Sequence, residues 1–160
     1  MAIEAPFSKF RKANLKIYIA FCIGFAVIFA YDGYLSKYQW SLRRSFYEKH
    51  TKQGKGDDQM IFNQIAPIFL VAAAAGFAVR LRAVREKKLL ADENELVISN
   101  KKKIAYDSIE KIDKTHFDSK GFFTITYKDQ TGTEVNCKLS GRKYDNLAAV
   151  LDELVAKISS

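Results

Sequence analysis

Charged residues are missing from two stretches of the chain and crowd nearly all of the rest. No Asp, Glu, Lys or Arg lies between Lys16 and Asp32, and none lies between Asp58 and Arg80. Both runs are apolar without a polar face, and a helix apolar all round is a membrane span or the centre of a much larger protein. The run from Gln59 to Val79 is 21 residues long. As a helix it reaches about 31 Å, enough for a hydrocarbon core of about 30 Å. The run from Ile17 to Tyr31 has only 15 residues and needs help at its ends. Lys16 can snorkel along its aliphatic stem, Asp32 can sit at the opposite headgroup level, and Tyr18, Tyr31 and Tyr34 suit the interfacial belts. The pattern predicts transmembrane helices at about 15–35 and 59–79, joined by a loop over 36–58.

Two competing readings of these runs are weaker. A chain of 160 residues has too little remaining domain to wrap two helices that are apolar on every face. Lys9, Arg11 and Lys12 before a short apolar stretch resemble the start of a signal peptide, yet no A-x-A-like site follows, since bulky Ile28 stands two places before Ala30.

Outside the spans the periodicity changes twice. Over about 36–50 it is helical, with Tyr38, Leu42, Phe46 and Lys49 on one face and Trp40, Arg43, Arg44 and Tyr47 beside it, which predicts either an interfacial helix with aromatic anchors or a solvated helix with a few aromatics touching the span ends. Residues 53–58 read as a flexible polar joint. From Leu89 onward the pattern alternates. Phe123, Ile125 and Tyr127 oppose Phe122, Thr124 and Thr126, residues 129–132 supply a turn, and Val135, Cys137 and Leu139 alternate with Glu134, Asn136 and Lys138, a hairpin signature. A shorter hairpin is predicted for 95–99 and 103–106 around Asn100, Lys101 and Lys102, and a further strand within 109–117. Leu147, Val150, Leu151, Leu154, Val155 and Ile158 then follow helical spacing, which predicts an amphipathic C-terminal helix. The expected fold is an α+β membrane protein: a two-helix transmembrane hairpin within 1–88, then a small antiparallel β-sheet or split-barrel domain over 89–160, capped by an α-helix.

Charge adds orientation. Four Lys or Arg precede the first span (Lys9, Arg11, Lys12, Lys16), five follow the second (Arg80, Arg82, Arg85, Lys87, Lys88), and six occupy the loop. Nine against six places both termini in the cytoplasm by the positive-inside rule. Ala20 with Gly24, and Ala72 with Gly76, give each span a small-xxx-small pair, the expected helix-packing residues. Pro67 should kink the second span and free the carbonyl of Asn63, with Asn63 and Gln64 expected near the headgroups. No ionisable residue lies inside either core, so an ion pathway through this chain alone is not expected.

The remaining chemistry points away from catalysis. His50 and His116 fall on opposite sides of the membrane in this topology, which leaves no pair for a metal or a triad. Cys22 and Cys137 read as small buried apolar residues with no disulfide between them. No cofactor, metal or catalytic residue is expected. Ser140-Gly141-Arg142-Lys143 reads as a loop before a helix cap more readily than as a phosphate site. The net charge of +8 is concentrated in lysines of the C-terminal region. Lys87, Lys88, Lys101, Lys102 and Lys103 are the candidate contacts to an anionic surface, since a basic group gains about 1 kcal/mol near anionic lipid. Nucleic acid is not expected, because Phe122, Phe123 and Tyr127 are needed in the core rather than for base stacking.

The order of strand pairs and closing helix resembles bacterial pleckstrin-homology-like (PH-like) domains. The resemblance covers residues 89–159 and is carried by Ile104-Ala105-Tyr106-Asp107-Ser108-Ile109-Glu110-Lys111-Ile112, where one strand hands over to the next, with the Gly132 turn and the helix from Tyr144. Small bacterial membrane proteins with such a domain after a two-helix hairpin are similar in layout. The resemblance implies a binding scaffold. The expected function is therefore a non-enzymatic interaction module, multi-pass in the bacterial inner membrane, offering its domain to a protein or lipid headgroup partner. The alternative is an accessory or assembly subunit of a larger membrane complex, bound through the hairpin.

Overall fold

The computed structural model describes residues 2–99 and 101–158. In chain order the elements are β1 (Ile3–Pro6), α1 (Lys9–Ala30), a π-helical turn (Tyr31–Leu35), α2 (Arg44–His50), β2 (Thr51–Lys52), β3 (Lys55–Gly56) and α3 (Asp58–Arg85). There follow β4 (Lys88–Ala91), β5 (Glu95–Ile98), β6 (Lys102–Ala105), a 3-10 turn (Tyr106–Ser108), β7 (Ile109–Asp113), α4 (Phe117–Lys120), β8 (Phe122–Lys128), β9 (Glu134–Ser140) and α5 (Leu147–Ile158). The fold is thus α+β, with two long apolar helices and antiparallel sheets. It divides into a unit of residues 1–13 with 82–160 and a unit of residues 14–81.

In the first unit, β8 and β9 pair over their full length, Phe122 opposite Ser140 through Lys128 opposite Glu134, and β7 adds to β8 with a bulge between Ile109 and Lys111. The other sheet runs β1-β4-β5-β6. One core joins both sheets to α5: Leu89, Leu96, Ile104, Phe123, Ile125, Leu139, Val150 and Leu154 are all buried in it. Each such side chain removed from water contributes about 1.5–3 kcal/mol. The alternation predicted for β8 therefore sorts its faces as expected, and four of the six predicted apolar positions of α5 are buried.

The alternating pattern predicts a domain from residue 89 onward, but its sheet also draws a strand from the N-terminal side of the hairpin. Ile3 to Pro6 pair with Ala91 to Lys88, Ala5 is fully buried against the same core, and the Phe7 amide donates to the Lys87 carbonyl at 3.0 Å. The two apolar helices are an insertion between the first and second strands of one sheet. The physical reason is an edge: without β1, the outer rim of β4 would carry unpaired N–H and C=O groups.

In the second unit, the less exposed positions of α1 and its π-helical turn include Leu15, Ile19, Cys22, Ala26, Phe29 and Gly33, and those of α3 include Asn63, Pro67, Leu70, Ala74, Phe77 and Leu81. Both sets alternate steps of four and three, the seam of left-handed helix packing. Tyr18 meets Phe77 and Phe29 meets Phe62 with ring centroids 5.6 and 5.5 Å apart. Ala20, Gly24, Ala72 and Gly76 lie off this seam and are exposed; a Cβ added at Gly24 or Gly76 would meet nothing within 4 Å. The expectation that these four residues pack the helices together is corrected on this point. Close approach occurs instead at Gly33, where a Cβ would fall 2.7 Å from the Asn63 carbonyl carbon and oxygen. That is the carbonyl freed by Pro67, so the glycine sits where the partner helix has lost a backbone hydrogen bond. Asn63 is buried, and Gln64 Nε2 donates to the Gly33 carbonyl at 3.1 Å, so the Gln64 amide ties the turn to α3 rather than projecting outward.

Candidate functional site

The turn-around of the hairpin is pinned by a buried polar cluster. Asp32 is held by a fork of two bonds, from Arg43 Nε to Oδ1 and from Nη2 to Oδ2, each 2.8 Å. Ser36, fully buried, donates to the Asp32 carbonyl, and the Ser41 hydroxyl both donates to Tyr31 and accepts from the Arg43 amide. Pairing with Asp32 raises the Arg43 pKa above its ordinary value, through hydrogen bonding first and Coulomb attraction second. This cluster explains why the expected helix over 36–50 shrinks to α2: the Ser41 hydroxyl competes for backbone groups, and Asp32 pulls Arg43 back across 11 positions. The expected polar joint is a two-residue β-hairpin, with Gln53 and Gly54 both in the left-handed region, φ 51° and 77°, as a type I′ turn requires. Beside it His50 Nδ1 and Asp57 Oδ2 are 2.8 Å apart. Hydrogen bonds, from His50 foremost and from the Met60 amide, hold the Asp57 carboxyl below the ordinary range.

Above the pinned base the chain turns apolar groups outward. Tyr38 and Trp40 stack with centroids 5.6 Å apart and planes 9° from parallel. Trp40 is 66% and Leu42 93% exposed. The Lys37 ammonium lies 5.2 Å from the Tyr38 ring centroid.

The five candidate lysines of the other unit are less free than the sequence implied. Lys88 pairs with Glu4, and Lys103 with Glu95. The Lys102 ammonium lies 4.9 Å from the Tyr127 ring centroid, and hydrogen bonding with Tyr127 is the first cause of its raised pKa. Lys101 is exposed and Lys87 half-buried. Strand register does bring several together, since Leu89 and Lys102 both pair with Ile98, and the Ser99 amide donates to the Lys88 carbonyl. Asn100, expected at this turn, lies outside the described residues. Glu4 and Tyr127 are distant in sequence from the lysines they hold, so only the fold reveals these partners, whereas Glu95 stands eight residues from Lys103 across the predicted hairpin.

Compared with protein-family models, with curated proteins and with solved structures, the chain matches none.

Other chemistry is sparse. Among the described residues no group of three or more His, Cys, Asp or Glu is arranged to hold a metal. Cys22 and Cys137 are free thiols, and burial pushes the Cys137 thiol up. Residues 140–143 do not open α5; they form a turn in which the Tyr144 amide donates to the Ser140 carbonyl, while the Lys143 carbonyl accepts from Ser8. Besides a polar hollow of about 230 Å³ between Tyr34, Tyr47, Thr51 and Gln64, the described residues form a larger hollow in each unit. A cleft of about 760 Å³ is lined by Lys114, Phe117, Asp118, Leu151, Asp152 and Val155, with charge of both signs around an apolar floor. An open apolar groove of about 390 Å³ runs along α1 between Ile17, Phe21, Phe25 and Ile28, over Ala20 and Gly24.

Proposed function

We propose that this chain is a non-enzymatic, membrane-anchored interaction module. Its hairpin crosses the bacterial inner membrane, and its PH-like domain stands at the cytoplasmic surface to receive a protein or an anionic lipid headgroup. The observation that carries the reading is the exposure of large apolar side chains along α1 and α3, of which Phe69 is 70% exposed, on helices long and apolar enough to span. Water would penalise that surface, whereas hydrocarbon would not. That both termini share one side is supported by the pairing of β1 with β4, because the strands flanking the insertion belong to one sheet. The cytoplasmic side is supported by the Lys and Arg count. The PH-like character is supported by antiparallel sheets of four and three strands followed by a C-terminal amphipathic helix on a common core. The mixed cleft beside α5 offers such a domain a place for a peptide.

A second reading, an assembly subunit bound through the hairpin, is favoured by the α1 groove over Ala20 and Gly24. Affinity purification of the full chain in mild detergent, with mass spectrometry, separates the two. A partner lost on Phe117→Asp and kept on Gly24→Leu supports the module. The reverse pattern supports the assembly subunit, and release of the chain by alkaline extraction of membranes would sink both.

A further inference from the structure

We infer that the turn-around of the hairpin is itself a membrane-reading surface: the Tyr38–Trp40 stack and Leu42 dock into the headgroup layer of an anionic leaflet on the loop side. This rests on the membrane reading above, but concerns the end of the hairpin remote in sequence from the domain.

Three observations carry it. The first is rigidity: the exposed groups are not the tip of a loose loop, because Asp32, Arg43, Ser36, Ser41 and Tyr31 bond the base beneath them. A rigid base does not let Trp40 and Leu42 fold inward, so a second phase must cover them or water must bear the cost. The second is the kind of group displayed. Tyr38 and Trp40 pair an apolar ring with a polar edge, the combination that settles where hydrocarbon gives way to headgroups. The third is charge. Residues 36–57 hold six Lys or Arg (Lys37, Arg43, Arg44, Lys49, Lys52, Lys55) against Glu48 and Asp57. The two arginines are matched internally by Asp32 and Glu48, whereas Lys37, Lys49, Lys52 and Lys55 form no ion pair among the described residues. Lys37, seated over the Tyr38 ring of the stack, and the positive surplus that Lys49, Lys52 and Lys55 give the same loop match a layer of lipid phosphates. A protein partner is less well matched: α2, with only seven residues, presents no long apolar stripe for a helix or groove to follow.

Trp40 is the single tryptophan of the chain, so its fluorescence reports this surface alone. The full chain is reconstituted into nanodiscs of phosphatidylcholine with and without phosphatidylglycerol, at low and high salt, and excited where tyrosine is silent. Acrylamide probes contact with water, and lipids brominated near the glycerol or near the tail end probe contact with the bilayer. The expected result is acrylamide quenching reduced about threefold from that of the denatured chain, with stronger quenching by shallow than by deep bromine. Shielding should deepen with phosphatidylglycerol. High salt, or the combined Lys37→Gln, Lys49→Gln, Lys52→Gln and Lys55→Gln substitution, should remove that dependence. Full access to acrylamide with no bromine quenching overturns the inference, and so does shielding without bromine quenching, which would mean that protein covers the stack. Co-elution of the chain with the discs reports the membrane reading separately, so failure of the docking surface is not confused with failure of insertion.

Discussion

Phenylalanine occupies opposite environments in the two units of this molecule. In the β-domain Phe123 is 0% exposed among Ile125, Leu139 and Leu154; along the apolar helices Phe21, Phe62 and Phe69 stand mostly clear of protein. The domain hides apolar residues from water by the alternation of strands and the stripe of α5. The hairpin hides only a narrow seam, with Phe29 and Phe77 among its members, and turns most of its phenylalanines outward. On the proposed membrane reading, two solvents account for the difference. In water the drive to bury Phe is strong, but between helices in lipid it largely vanishes, and association rests on fit and hydrogen bonds.

The largest effects should come from attacking the domain's core while leaving the helices' outer face alone. Phe123→Ala should cost about 3–5 kcal/mol and Ala5→Asp about 3 kcal/mol or more, since it buries an unpaired charge. Against a domain stability on the order of 5–15 kcal/mol, either should visibly lower the unfolding temperature followed by protease resistance. Phe69→Ala, read in nanodiscs, should cost no more than about 0.5 kcal/mol. A large loss at Phe69 would break the comparison. No effect at Ala5 would mean that β1 is dispensable and that the domain starts at 89 after all.

Intermediate effects should sharpen the account of the seam. Gly33→Leu should destabilise the helix pair by about 1–3 kcal/mol, as overpacking does, because the Asn63 backbone cannot yield cheaply. Gly24→Leu and Gly76→Leu should stay within about 0.5 kcal/mol. Thermal unfolding of the three variants in one detergent provides the ranking, and equal losses at Gly24 and Gly33 would restore the small-xxx-small interface.

The smallest effect concerns the loop side. The Asp57 carboxyl is held low by His50 and backbone donors, so its contribution is present above the unfolded carboxylate pKa of about 3.9 and is lost as pH falls through the lower folded value. Asp57→Asn should lower stability slightly at neutral pH and flatten the acid limb, because the difference from the native chain vanishes once the carboxyl is protonated; an unaltered acid limb would show that the contact contributes nothing. The domain has an alkaline counterpart in Tyr106, which burial first, and nearby carboxylates after it, push up to about 12. Its contribution is complete below the unfolded value of about 10 and is lost as pH rises towards 12.

What was legible in the sequence was whatever repeats locally. The alternation of Phe123, Ile125 and Tyr127 and the spacing of Leu147, Val150, Leu151 and Leu154 needed no partner to be read. The short strand Ile3–Pro6 was illegible because four residues ending in proline carry no period, and only β4 makes them a strand. The loop helix was overread because its face pattern is real but Asp32 holds Arg43 from outside the window. The helix seam was present in the sequence as Ile19, Cys22, Ala26 and Phe29 in steps of three and four. Its residues share no single chemical character, whereas the small pairs Ala20/Gly24 and Ala72/Gly76 form the more conspicuous pattern on another face. Of the lysine candidates only Lys101 lies in the β5–β6 turn, while Lys102 and Lys103 open β6, and the commitment of Lys88 to Glu4 and of Lys102 to Tyr127 is a property of the fold.

The central claim is a membrane crossing that separates the hairpin's turn-around from the domain. Its most direct test uses full-length chains with both native cysteines replaced by serine and one new cysteine, at Lys52 in the loop or at Gln130 in the β8–β9 turn. Spheroplasts of the expressing bacterium are treated with a membrane-impermeant maleimide before and after permeabilisation. The account predicts that Lys52→Cys labels at once and Gln130→Cys only after permeabilisation, while immediate labelling of Gln130→Cys, or equal labelling of both positions, would contradict it.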